Sequence, residues 1–92
     1  MPIGKDDVLA ALSDPVLRGF KFSIGQTTVG PDGFREVHGA IASGRIRVAT
    51  GSDPRIAFYN MRSNTIETPR RNPPLDVGER AQLIHECVHA IN

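Results

Sequence analysis

Cysteine, tryptophan and long apolar runs are what this chain has little of or lacks. Its single cysteine, Cys87, excludes an internal disulfide, so the core must hold by packing, in keeping with a reducing compartment. Tryptophan is absent, and one tyrosine and four phenylalanines supply all the aromatic bulk. None of these rings is interleaved with arginines as a base-stacking platform, which argues against a nucleic-acid module. Nowhere do as many as about eighteen apolar residues run together, which excludes a membrane-spanning helix. The opening MPIGKDDVLAALSDP sets two acids behind Lys5 and is interrupted by Ser13, Asp14 and Pro15. It therefore lacks the apolar core of a secretory signal. Location is left between the cytoplasm and export by a non-classical route.

What is there describes one ordinary globular unit. Ninety-two residues, 39% hydrophobic and 23% charged, make a single domain spanning residues 1–92 the expectation. A chain of this size buries roughly 60–65% of its unfolded surface, so its core is modest. The net charge is +1, but it is uneven. Arg45, Arg47, Arg55, Arg62, Arg70 and Arg71 stand against Asp53 and Glu67 within residues 45–71, a local balance of +4. That field either attracts an anionic partner or is simply the solvated side of strands and loops.

Local patterns order the chain as helix, short strands, proline-rich loop and helix. Asp6 or Asp7 is placed to cap a first helix through Val8, Leu9 and Leu12, which Pro15 breaks. Val16, Leu17 and Phe20 continue it by a further turn. Pro31-Asp32-Gly33 carries a turn signature, with a hairpin expected between FKFSI and FREVHGAI. RIRVAT at 45–50 alternates, Ile46 and Val48 to one side and Arg45 and Arg47 to the other, as a half-buried strand does. GSDP reads as a turn, RIAFYN at 55–60 as a strand, MRSN as a reversal and TIET at 65–68 as its partner. Pro69, Pro73 and Pro74 make the next segment irregular and exposed. Asp76 is then an N-cap with Glu79 at the capping-box position, opening a helix whose apolar residues are Val77, Leu83, Ile84, Cys87, Val88 and Ile91. Helices and strands segregate, so the fold class is α+β: a short N-terminal helix, a small mixed or antiparallel sheet and a C-terminal helix.

That last helix contains HECVH, residues 85–89. Helical residues four apart differ in direction by about 40° and stack one turn apart, so His85 and His89 can face one ion. Glu86 follows by about 100° and leans over the same place. Neutral imidazole suits zinc, and a zinc ion with an open position acidifies water. A neighbouring carboxylate can take the proton and pass it to a leaving group. The plain alternative is a pair of surface histidines on an amphipathic helix. Cys87 lies roughly 160–200° around the helix from either histidine, so it faces the core rather than their ion. His38 reads as a strand-end histidine, and Glu36, Asp76 and Glu79 are the other candidate donors; the last two have work at the helix start.

With HExxH following a short sheet, the chain resembles the zincin superfamily of metallopeptidases, in particular the small bacterial metallopeptidase and peptidase-like toxin domains. The resemblance covers about residues 45–92: the strands IAFYN and NTIET, the leader LDVGERAQL and the motif IHECVHAIN. It implies zinc as cofactor, His85 and His89 as metal ligands, Glu86 as general base, and a peptide or protein substrate extended along an edge strand of the sheet. The edge is one of the strands at 45–50, 55–60 or 65–68. Zincins take a third ligand from beyond this helix. The resemblance therefore implies that the chain is the N-terminal portion of a catalytic domain, the third ligand coming from a segment past Asn92 or from a partner chain. The alternative is a non-catalytic binding or assembly domain that keeps a degenerate motif.

Overall fold

The computed structural model describes residues 2–19, 21–24 and 27–91. Its first helix, α1 (Lys5–Leu12), begins at Gly4 rather than at Asp6 or Asp7. Asp7 is the third helical residue, and its carboxylate accepts the Gly4 N–H at 2.9 Å, so the acid reaches back to the cap instead of being it. A 3-10 helix, Pro15–Gly19, supplies the expected further turn; Phe20 lies outside the described residues. The strands β1 (Phe22–Ile24) and β2 (Thr27–Val29) then pair antiparallel.

The expected second arm of that hairpin is a helix instead. Pro31–Ala42 forms α2, with Gly30 as N-cap and Pro31 in the first turn. A proline there loses no hydrogen bond and brings its φ already set, so Pro-Asp-Gly opens a helix as readily as it turns a strand. Phe34, Val37 and Ile41 are spaced three and four apart, and with Ala40 they are buried. That period belongs to a helix face.

The main sheet has β5 (Thr65–Thr68) at its centre, parallel to β3 (Arg47–Thr50) and antiparallel to β4 (Phe58–Asn60). Both outer strands are shorter than the alternation in sequence predicts. β3 starts at Arg47, because Ile46 donates its N–H to Ala40 O at 3.1 Å as the chain leaves α2. β4 starts at Phe58, because the Asp53 carboxylate takes the N–H groups of Arg55 and Ile56 at 2.7 and 3.1 Å. An aspartate bonded two and three residues onward holds the backbone in a turn. Between β4 and β5, Asn64 adopts φ 51°. It ties the reversal down by accepting the Tyr59 hydroxyl at 2.6 Å and donating to Arg45 O at 2.8 Å.

The last helix packs against β4 and β5, and α1 and α2 pack on it and on each other. The core joins Val8 and Leu12 of α1, Phe34, Val37 and Ile41 of α2, Ile66 of β5 and Leu83, Cys87 and Val88 of the last helix, α3 (Val77–His89). These are the α+β layers that the sequence implies, with α2 added. Thr68 is fully buried at the end of β5, and its hydroxyl reaches Ile3 O at 2.9 Å and Ala49 O at 3.2 Å. Pro69 beside it is buried too, unlike Pro73 and Pro74, because Ile3 pairs with this segment through its N–H to Arg71 O. Val77 is 74% exposed, so the apolar face of α3 begins at Leu83. No helix among the described residues is long and apolar enough to cross a membrane.

Candidate metal and acid-base site

α3 opens on the capping box its sequence encodes. The Asp76 carboxylate accepts the Glu79 N–H at 2.8 Å, and Glu79 accepts the Asp76 N–H at 3.0 Å. Arg71 then forks onto Glu79, its Nε 2.9 Å from Oε2 and its Nη2 against Oε1. The arginine, ahead of the Asp76 amide, holds the Glu79 carboxyl below its usual value. Asp76 and Glu79 are thus occupied at the helix start and are not donors to a distant ion.

Further along, α3 turns polar groups toward β4. The Gln82 carboxamide meets Ala57 twice: Ala57 N–H donates to Oε1 at 2.7 Å, and Nε2 donates to Ala57 O at 2.7 Å. One turn on, Glu86 Oε1 accepts the Tyr59 N–H at 3.1 Å. The other carboxylate oxygen, Oε2, lies 3.3 Å from His85 Nδ1. His89 completes the group, its ring edge-on to that of His85 with centroids 4.9 Å apart.

The structure thus brings His85, Glu86 and His89 together. One ligand atom from each lies within 4.8 Å of the others. Donors about 2.1 Å from one tetrahedral zinc stand about 3.4 Å apart, so these side chains must draw closer to share an ion. Two imidazoles one helical turn apart suit zinc, so the histidine pair fits the group as two of its ligands. Where the His85 proton sits on Nδ1, facing Glu86, Nε2 carries the lone pair for a metal.

Cys87 does not join them. It is fully buried in the core, and burial first, then the charge of Glu86, pushes its thiol up to about 12. A protonated core thiol is neither a ligand nor a nucleophile. His38 is half-buried on α2, not at a strand end, and among the described residues it is not part of the cluster. Glu36 is exposed on the same helix and is likewise outside it.

Beside the cluster runs a cleft of about 520 Å³, lined by Phe58, Tyr59, Met61 and Arg62 together with Glu86 and His89. Phe58 is 55% and Met61 81% exposed, so it offers apolar surface next to the carboxylate. With β5 central, the sheet's edges are β3 and β4. The central place of β5 removes residues 65–68 from the expected edges, and the outer side of β4 is engaged at Tyr59, with Ala57 just before the strand, by side chains of α3. The side chains of Arg45, Arg70 and Arg71 are bonded within the chain, to Ser43, Gly51 O and Glu79.

Sequence reasoning missed Gln82, Ala57 and Tyr59. The only signal was the position of Gln82, one turn before Glu86 on the same helix face. No family model, curated protein or solved structure matches this chain. The functional reading therefore rests on the geometry of α3 and β4.

Proposed function

We propose that the chain carries the metal-binding and acid-base elements of a zinc-dependent hydrolase of peptide or related amide bonds. His85 and His89 are the zinc ligands and Glu86 the general base. The observation that carries this reading is the cluster itself: two imidazoles and a carboxylate within 4.8 Å, of which Glu86 and His89 line a cleft.

Bound there, zinc supplies Lewis acidity that makes water a nucleophile near neutral pH. Glu86 takes the proton of the attacking water at the oxygen not held by Tyr59, and returns it to the departing amine nitrogen. The Tyr59 N–H keeps the carboxylate oriented toward the cleft. Phe58 and Met61 give the cleft an apolar wall and Arg62 a cation, which favours an apolar side chain beside the scissile bond. In this reading, a further ligand comes from polypeptide outside the described residues, either a further segment or a partner chain, since among those residues only Glu86 joins the histidine pair.

Zinc titration of the purified protein with elemental analysis, followed by hydrolysis of a mixed peptide library, tests the proposal. The expected result is zinc bound through His85 and His89, with cleavage that Glu86→Gln abolishes while zinc stays bound. Cleavage by Glu86→Gln at the wild-type rate would reject the assigned base. Zinc retention without any cleavage by the wild type would favour a binding or assembly domain instead.

A further inference from the structure

The contacts between α3 and β4 form a short ladder built from side chains. Four residues of helix rise about 6.0 Å and two residues of strand about 6.7 Å, so Gln82 and Glu86 fall opposite Ala57 and Tyr59 with little mismatch. The two rungs differ in kind. A carboxamide carries a donor and an acceptor in one plane, as a peptide group does, and Gln82 uses both on Ala57 at 2.7 Å each. Glu86 has only acceptors and makes the single, longer bond of 3.1 Å. Ala57 is 1% exposed, so its N–H and C=O cannot turn to water if the carboxamide is lost. The first rung therefore sets the register of β4 along α3, and the second follows from it.

Resting on the role of base assigned to Glu86 above, we propose that Gln82 is a positioning residue for Glu86. Its double bond to Ala57 fixes where the Tyr59 N–H stands, and that amide holds Oε1 so that Oε2 is left on the histidine side. The same helix thus carries the base and, one turn earlier, the group that aims it. Glutamine suits the position because neither glutamate nor methionine offers a donor and an acceptor together.

Amide hydrogen exchange followed residue by residue by NMR, in wild type, Gln82→Met and Glu86→Ala, tests the coupling. Glu86→Ala should speed exchange at Tyr59 alone. Gln82→Met should speed it by about tenfold at Ala57 and also at Tyr59, although the Tyr59 acceptor is intact. Phe58 and Asn60 face β5 in the alternating ladder and should keep their protection in both variants. Wild-type exchange at Tyr59 in Gln82→Met would overturn the proposal. So would loss of protection at Phe58 and Asn60, which would make Gln82 a prop of the strand as a whole. In the hydrolysis assay, Gln82→Met should lose about tenfold in rate while its zinc dissociation constant stays within about threefold; equal losses in both would count against positioning. The exchange readout needs neither zinc nor substrate. A wild-type protein without hydrolytic activity would remove the hydrolase reading and leave the Gln82 coupling to be judged by exchange alone.

Discussion

The two ends of α3 each carry a glutamate, and the pair differ in what surrounds them. Glu79 meets a cation and a capping amide: Arg71 forks onto it and Asp76 closes the box. Glu86 is about as sheltered, its side chain 15% exposed against 18% for Glu79, yet its contacts are a strand amide and an imidazole. An acid matched by an arginine is held as an anion and becomes part of the scaffold. An acid held by one amide, with its other oxygen beside an imidazole and a cleft, has no arginine fixing it. Burial alone does not tell the two apart; the partners do.

Substitutions at the two ends should separate along the same line. The largest effect belongs to Glu86→Gln, which is expected to lower peptide hydrolysis by about 10²- to 10⁴-fold with zinc affinity nearly unchanged; Glu79→Gln should leave hydrolysis close to wild type. Equal losses in the two variants would erase the distinction. Next come His85→Ala and His89→Ala, each expected to weaken zinc binding by more than about 100-fold in a competition titration against a chromophoric chelator. The folded chain should survive both, because neither ring is in the core.

Smaller effects belong to the first turn. Asp76→Ala removes the cap and should cost about 1 kcal/mol in thermal or urea unfolding, with the zinc dissociation constant unmoved. The smallest effect is one of pH. The Glu79 carboxyl is held below its ordinary value of 4.5 by Arg71 and then by the Asp76 amide. A depressed folded value means that the stabilisation is present above the ordinary value and is lost as pH falls through the folded one. The melting temperature of Glu79→Gln should therefore lie below that of wild type at neutral pH and converge with it on acidification below about 4.5. A gap that stayed constant down to strongly acidic pH would show that the Arg71 fork contributes nothing specific.

How much could be read beforehand follows the distance along the chain over which each feature is built. The capping box joins residues three apart and the HExxH cluster residues up to four apart at the ends of one helix, so their geometry is dictated by the helix and was legible. The Asp53 turn that shortens β4 is local as well, but alternation in RIAFYN hid it. α2 was misread because Pro-Asp-Gly is ambiguous between turn and helix start, while the 34-37-41 spacing that decides the matter lies further on. The bonds from Gln82 and Glu86 to β4 cross 25 and 27 residues. No local pattern encodes such a pairing, since it exists only once the sheet and α3 are docked.

One residue between the two histidines gives the molecule a clock. Cys87 is wholly enclosed, and its pKa of about 12 leaves almost no thiolate at neutral pH. A thiol-reactive dye can label it only after the core around α3 opens. Under reagent excess, the labelling rate then reads the opening of that core directly, without an added probe. Because this is the chain's only thiol, every labelled molecule reports the same event. Zinc that grips His85 and His89 should slow the clock, and a chelator should restart it, so the occupancy of the site can be timed through a group that never touches the metal.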